Sequence, residues 1–291
     1  MDARISKSGR DFVIVAPGRR ARPSGSPADA CPFCPGQEHR TPPETSSRGP
    51  PGRAPGKPGW RSRAFPNAFP LSAVHEVVVE SPAHAAPLES LSVEARTEAL
   101  GLWRERVAAA EARSDVASVV LFRNDGGAAG ASQPHPHSQI VGLPFVPPRV
   151  ADEAASDRCA IEEELSAARA DLARVIEDGT LVAFCPAAPR FPFETWIAPA
   201  RHDARFAQAS DDDLASLSQA LGRLLPRIRG ANGRPDLNLV LHTAPQRDAG
   251  AFHWHVEILP VGETLGGLER GAGAFVNPVA PETAARVLRG D

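Results

Sequence analysis

Apolar and polar positions alternate in three short stretches, VHEVVVE (74–80), ASVVLF (117–122) and HSQIVG (137–142). A two-residue period is that of a strand with one face turned inward, and these stretches fit antiparallel strands. Between the first and second lies SVEARTEALGLWRERVAAAEA (92–112), which predicts a helix opened by Ser92 as N-cap, with Glu94 and Glu98 near its start. A second helix is predicted over 210–228, SDDDLASLSQALGRLLPRI, with Ser210 as N-cap and three acids in its first turn. Negative charge is stabilising there because the helix dipole is positive at that end. A third helix is expected from Ser156 to Glu177. The segment 41–63 is rich in Pro, Gly and Arg and has no period, which predicts a long loop, mobile or laid over a site.

The pattern repeats. EVVVESPAH (76–84) resembles ETWIAPARH (194–202), the HPH of 135–137 lines up with the HWH of 253–255, and Asn124 falls on His242, all at a spacing of 118 residues. AFPNA (64–68) resembles AFCPA (183–187) with a one-residue shift. Each half reads strand, helix, strand, loop, strand. Agreement of three landmarks at one spacing points to a duplicated α+β unit. The halves are placed at 1–150 and 151–291, with the third helix near their junction.

Composition adds few constraints. The 291 residues carry a net charge of −3, so no nucleic-acid footprint is spread over the surface. The 24 glycines and 30 prolines fit long loops, and 42% hydrophobic content still supports a core. The start, MDARISKSGRDFVIVAPG, has no apolar run of the signal-peptide kind, and no stretch approaches the ~20 apolar residues of a membrane span. A soluble cytoplasmic protein is expected, without nucleic-acid or membrane partners. Four cysteines in a chain of this length make no disulfide framework, so Cys31 and Cys34 read as metal ligands or a redox pair.

The chemistry concentrates in QPHPHSQ (133–139). In an extended chain residues i and i+2 share a face, so His135 and His137 point the same way, with Pro136 stiffening the pair. Two imidazoles on one face suit metal binding, catalysis, or one of each; the plain alternative is a loop with surface histidines.

CPFC (31–34), ESPAH (80–84) and NDGGAAGASQPHPHSQ (124–139), with VAPGRRARP, FPFETWIAP, HTAP and HWH elsewhere, resemble the galactose-1-phosphate uridylyltransferase family of the histidine triad superfamily. The resemblance runs through most of the chain. It implies two tandem triad-like halves, each an antiparallel sheet (a half-barrel) with packed helices. It also implies a nucleotidyltransferase acting on a nucleotide sugar with a sugar 1-phosphate or phosphate as acceptor, and a homodimer whose active sites are completed across subunits. The nucleophile it assigns is His137, attacking the α-phosphorus to give a nucleotidyl-histidine, so that one difficult displacement becomes two easier ones. The carbonyl of His135 is expected to hold the proton-bearing nitrogen of His137. Ser132 and Gln139 supply neutral donors. The superfamily usually has a third histidine where Gln139 sits, and an amide there favours transfer over hydrolysis because it cannot act as an acid. Gly126, Gly127 and Gly130 allow close backbone approach to phosphates, and their N–H groups can form an anion nest. Arg19 and Arg22 match phosphate-pairing arginines, the alternative being a solvated basic turn. Phe65, Asn67, Phe69 and Asn124 match nucleoside-holding positions, the alternative being ordinary core and turn residues.

The same resemblance implies two metal sites. Cys31, Cys34, His84 and His135 match the ligands of a zinc ion, a closed tetrahedral set of the structural kind. Glu153, His242, His253 and His255 match a second site holding iron or zinc, which suits three imidazoles and a carboxylate. Core histidines satisfied by hydrogen bonds are the alternative there. Cys159 and Cys185 read as packing residues, and His39 and His75 as surface residues. Near the C-terminus GLERGAGAFVNPVAPE departs from the uridylyltransferase pattern and resembles the ADP-glucose phosphorylase branch, as does Ser138 where the uridylyltransferases have glycine. Other classes are a triad-type nucleotide hydrolase or sensor, and a non-catalytic zinc scaffold.

Overall fold

In the computed structural model, residues 2–5, 12–21, 25, 27, 31–155, 158–247, 249–262 and 264–291 are described. β1 (Asp2–Ile5) and β2 (Phe12–Val15) form a small ladder of their own. The rest of the first half supplies β3 (Ser46–Arg48), β4 (Ser62–Pro66), β5 (Val74–Val79), α1 (Val93–Glu111), β6 (Ser118–Asp125), β7 (His137–Leu143) and α2 (Pro148–Ala154). Then follow α3 (Ala160–Asp171), β8 (Val175–Asp178), β9 (Leu181–Phe184), β10 (Thr195–Pro199), α4 (Asp211–Asn232), β11 (Leu237–His242), β12 (His255–Pro260), α5 (Gly267–Ala272) and α6 (Pro281–Arg289). β3 to β12 make one ten-stranded antiparallel sheet in the order β3-β4-β5-β7-β6-β11-β12-β10-β9-β8.

The 118-residue repeat is visible in this order, since β4-β5-β7-β6 on one side mirrors β9-β10-β12-β11 on the other. The halves meet where β6 pairs with β11, and Phe122 lies opposite Val240, its own repeat equivalent. An antiparallel ladder centred on equivalent residues is what a two-fold relation between copies demands. α1 and α4 follow equivalent strands and pack on the same face of the sheet. There Trp103, Val107, Leu217 and Leu221 are buried against Val78, Leu121, Ile140, Leu239 and Val256. Strand alternation then assigns His75, Val77, His137 and Gln139 to the opposite face.

Two sequence expectations need correction. The stretch 156–177 is not one helix. α3 ends at Asp171, Leu172 takes a left-handed backbone (φ 57°), and 175–178 is β8, an edge strand on β9. Arg289 of α6 caps the break by donating to the carbonyls of Leu172 and Val175. The 41–63 segment holds β3 and the start of β4, whose TSSR and WRSR flanks pair across the Pro/Gly-rich turn.

Both expected N-caps form. Ser92 accepts from the Ala95 amide, and Ser210 with Asp213 makes a reciprocal capping box. Asp213 is fully buried and also takes two hydrogen bonds from Arg201. The Arg201 bonds, with those from Ser210, outweigh burial and hold its carboxyl down to about 2. A depressed folded pKa stabilises above the unfolded value near 3.9, and that contribution is lost as pH falls toward 2. Asp213→Asn is therefore expected to cost ~1–2 kcal/mol at neutral pH. The gap to the unsubstituted protein should close between about pH 4 and pH 2 in denaturant titrations. A gap independent of pH would refute the assignment.

Candidate functional site

His137 opens β7 and is buried. Its Nδ1 lies 2.8 Å from the His135 carbonyl, an acceptor, so Nδ1 carries the proton and Nε2 is the unprotonated nitrogen of the neutral ring. The Glu80 amide donates to the Pro136 carbonyl at 3.3 Å, which pins the residue between the two histidines. Two clefts meet at the His137 ring. One, of about 200 Å³, is walled by Phe33, Phe65, Phe69 and Val77. The other, of about 430 Å³, is walled by Asn124, Gly126, Gly127 and Pro134. Ser132, Gln133 and His137 line both. An apolar slot and a polar, glycine-edged hollow on either side of one imidazole suit a ligand with an aromatic end and a phosphate-bearing end.

Gln139 lies two residues along the same strand face and borders the apolar cleft. Its Oε1 is 3.4 Å from Asn67 Nδ2 and 3.1 Å from His75 Nε2. His75, expected at the surface, is buried. Asn67 Oδ1 accepts from the Phe69 amide, and Arg19 donates to the Phe69 carbonyl, so both serve the loop that carries Phe69. Arg22 lies outside the described residues. Asn124 joins the halves by accepting from Asn238.

The glycine loop differs from a simple anion nest. Gly126 and Gly130 have positive φ (97° and 88°), which a side chain would strain. A Cβ on Gly126 would also strike the Asp236 carboxylate. Yet the Gly130 amide donates to the Gly127 carbonyl, Ala131 donates to Gly126, and Ala128 donates to Asp236. These amides serve the turn, and the cleft is edged by Gly126 and Gly127. Ser138 points away from the cleft. Its hydroxyl donates to Glu80, which also pairs with the buried Arg123 directly across from Ser138. It therefore braces the strand behind His137 and lines neither cleft.

Cys31, Cys34, His84 and His135 offer one ligand atom each within 4.8 Å of one another. The S···N separations are 3.7, 3.4 and 3.5 Å for Cys31–His135, Cys34–His84 and Cys34–His135. A tetrahedral zinc with ordinary Zn–S and Zn–N bonds requires about 3.5 Å. His135 Nε2 donates to the Ser81 carbonyl at 2.8 Å, which leaves Nδ1 free toward the thiols. Burial holds the His135 imidazole down to about 4, so it stays neutral as a ligand must. Burial and the neighbouring Cys31 push the Cys34 thiol up to about 11, a penalty that a dication would reverse. The donor set thus fits a closed structural zinc.

Among the second set, Glu153, His242 and His255 come together within 4.8 Å, with the two rings stacked at 4.5 Å. The buried Nε2 atoms of His242 and His255 have no hydrogen-bond partner among the described residues, a deficit that a metal ion relieves. His253 turns elsewhere. Its Nδ1 is 3.7 Å from Cys159 Sγ and its ring lies against His202 at 5.3 Å, the repeat of the His84–His135 contact at 5.6 Å. His255 Nδ1 donates to the His253 carbonyl at 3.0 Å, repeating the His137 arrangement. Its outward nitrogen, however, faces Glu257 at 3.9 Å, the residue that replaces Gln139 in the repeat.

Three further residues near these sites were not legible as site residues in the sequence. Phe33, inside CPFC, packs edge-on against His137 at 5.2 Å, so the cysteine loop reaches the His137 ring. Glu257 is fully buried between the His242 and His255 rings, Arg149 and Arg190. Burial pushes its carboxyl up, but the imidazole contacts and the Arg149 charge outweigh that and hold it far below the usual range. The repeat spacing could have found Glu257. His75 had only its place at an inward position of VHEVVVE.

A family model described as galactose-1-phosphate uridyl transferase, N-terminal domain, matches residues 70–147. The chain is 30% identical to ADP-glucose phosphorylase of Arabidopsis thaliana over 96% of its own length and 89% of the relative's. It is 26% identical to galactose-1-phosphate uridylyltransferase of Thermotoga maritima over 99% and 98%. Among solved structures, the Arabidopsis thaliana ADP-glucose phosphorylase with bound ADP-glucose superposes with a TM-score of 0.81 at 29% identity, covering 100% of this chain and 98% of that one. A uridylyltransferase variant superposes with a TM-score of 0.82 at 27% identity, with the same coverage.

Proposed function

Because the chain belongs to the galactose-1-phosphate uridylyltransferase family, and is a nucleotidyltransferase like its relatives, we propose that it passes the nucleotidyl group of a nucleotide sugar through His137 to a second phosphate. The observation that carries this reading is the His137 ring. Its Nδ1 is held by the His135 carbonyl, and it sits at the junction of two clefts. Nε2 attacks the α-phosphorus, the bond to the bridging oxygen breaks, and sugar 1-phosphate leaves. An oxygen of the incoming phosphate then displaces His137, which recovers its neutral form. Gln139 and Ser132 hold the phosphoryl oxygens. Phe65, Phe69 and Asn67 hold the nucleoside. Arg19 acts on the base pocket through the Phe69 loop.

The leading acceptor is a hexose 1-phosphate, with UDP-glucose as donor, in galactose metabolism. A second reading is adenylyl transfer from ADP-glucose to inorganic phosphate, favoured by the 30% identity to the Arabidopsis thaliana enzyme across nearly the whole chain. Zinc held by Cys31, Cys34, His84 and His135 ties the N-terminal loop to the strand beside His137. Iron or zinc held by Glu153, His242 and His255 is structural in the second half. The division at about residue 150 belongs to the same reading, supported by the mirrored strand orders. So does a homodimer, supported by the exposed Leu268, Phe275 and Val276, and a cytoplasmic setting, supported by four free thiols. No helix among the described residues is long and apolar enough to cross a membrane.

Incubation with α-³²P-labelled UDP-glucose and, separately, ADP-glucose is expected to leave acid-labile label on His137 from one of them. Galactose 1-phosphate should discharge a uridylyl adduct, and inorganic phosphate an adenylyl adduct. Absence of label from both donors removes the proposal; steady release of free mononucleotide without acceptor would instead mark a hydrolase.

A further inference from the structure

We propose that His75 is the positioning residue for Gln139, tying the loop of the nucleoside cleft to the amide that meets the phosphate. This rests on the reaction assigned to His137. The argument follows protons along a chain of contacts. The Leu71 amide donates to His75 Nδ1 at 2.9 Å, so that nitrogen bears no proton. A neutral imidazole then carries its proton on Nε2, 3.1 Å from Gln139 Oε1. Asn67 Nδ2 lies 3.2 Å from His75 Nε2 and 3.4 Å from the same oxygen; its orientation is set by the Phe69 amide on Oδ1, and since a protonated Nε2 accepts nothing, both groups donate to Oε1. Two donors on Oε1 leave one orientation for the amide, with its NH₂ toward the cleft that His137 lines. With the amide reversed, the half-buried Asn67 donor and the buried His75 donor would face a third, which a site closed to water does not tolerate. The NH₂ is the end a phosphoryl oxygen needs.

His75 also closes the loop. Asn67 donates its backbone N–H to the His75 carbonyl at 2.7 Å, and Leu71 returns to the ring. The 67–71 turn that presents Asn67 and Phe69 to the nucleoside cleft is thus bracketed by one residue, and each ring nitrogen has a separate task. Nδ1 shapes the binding loop, and Nε2 orients the transfer amide.

Two substitutions separate these tasks. His75→Asn places an amide oxygen near the Nδ1 position and removes the donor to Gln139. Its kcat is expected to fall about tenfold to a hundredfold with KM little moved, as for a misplaced donor to a developing oxyanion. His75→Gln retains a donor near Nε2 and loses the acceptor for Leu71. It should raise KM for the nucleotide sugar about tenfold with a smaller loss of kcat. In a Gln139→Ala background, His75→Asn should cost no further kcat, because the group it orients is gone. Equal effects of both substitutions on kcat and KM, or full additivity with Gln139→Ala, overturn the proposal.

The ¹⁵N-histidine spectrum of the unsubstituted protein gives a readout independent of turnover. The resonance absent from His75→Asn is expected to report a proton on Nε2 and a bare Nδ1. A proton on Nδ1 overturns the proposal whatever the activity. If the unsubstituted protein takes no label from either sugar nucleotide, the reading of His137 fails instead, and the imidazole spectrum still decides the placement of Gln139.

Discussion

His137→Asn is expected to take no label from UDP-glucose or ADP-glucose, and to transfer nucleotidyl groups at least a thousandfold more slowly, on the order of ~4 kcal/mol in barrier. The side chains that surround the ring explain why so much depends on it. Phe33 lies edge-on at 5.2 Å, the His135 carbonyl fixes the proton, and Ser132 and Gln133 border it on both sides. An asparagine has no lone-pair nitrogen to attack phosphorus, while the walls of both clefts stay as they are. Binding of the nucleotide sugar should therefore persist while the covalent step disappears. Equilibrium binding by calorimetry and single-turnover labelling separate these two quantities. Turnover by the His137→Asn protein within tenfold of the original rate would end the covalent account.

Removing the clamp of Cys31, Cys34, His84 and His135 is the second large perturbation. Cys34→Ser is expected to release one metal ion per chain, and that change or chelation to lower stability by ~3 kcal/mol or more. The physical cost is specific. Burial and the neighbouring Cys31 push the Cys34 thiol up to about 11, so without a dication that sulfur stays a protonated thiol packed 3.4 and 3.5 Å from the His84 and His135 nitrogens. The four-residue cluster also shapes the surroundings of His137, since Phe33 sits between the two cysteines and His135 supplies the carbonyl that holds His137 Nδ1. Labelling should fall together with metal content in a graded chelator titration. Metal analysis and thermal unfolding check the first part, and adduct formation in the same samples checks the second. A Cys34→Ser protein with full metal content and an unchanged melting temperature would dismiss the site.

The second group should respond differently. His255 repeats the His137 geometry down to the bond from Nδ1 to the preceding histidine's carbonyl, but its outward nitrogen meets Glu257 where His137 has a cleft. Glu257 ties that nitrogen into a buried cluster with Arg149 and Arg190. On the proposed function, transfer belongs to the first half and the duplicated face is structural.

The local pattern by itself determined several things. Alternation in VHEVVVE and HSQIVG set which residues of β5 and β7 share a face, because a strand's period is two. Ser92 and Ser210 set the starts of α1 and α4, because their hydroxyls satisfy amides within three residues. The 118-residue spacing set the mirrored strand order. Contacts between distant residues were decided only by the tertiary structure. His75 looked like a surface residue, and its partner Gln139 lies 64 positions away. His253 shares a face with His255 by spacing, yet its ring is drawn to Cys159 and His202, which the local pattern cannot place beside it. The helical period over 156–177 gave way at Leu172, and Val175 and Ile176 are buried in an edge strand on β9. In each case a buried polar or apolar group found its partner across the fold, and the sequence states the group's chemistry without naming that partner.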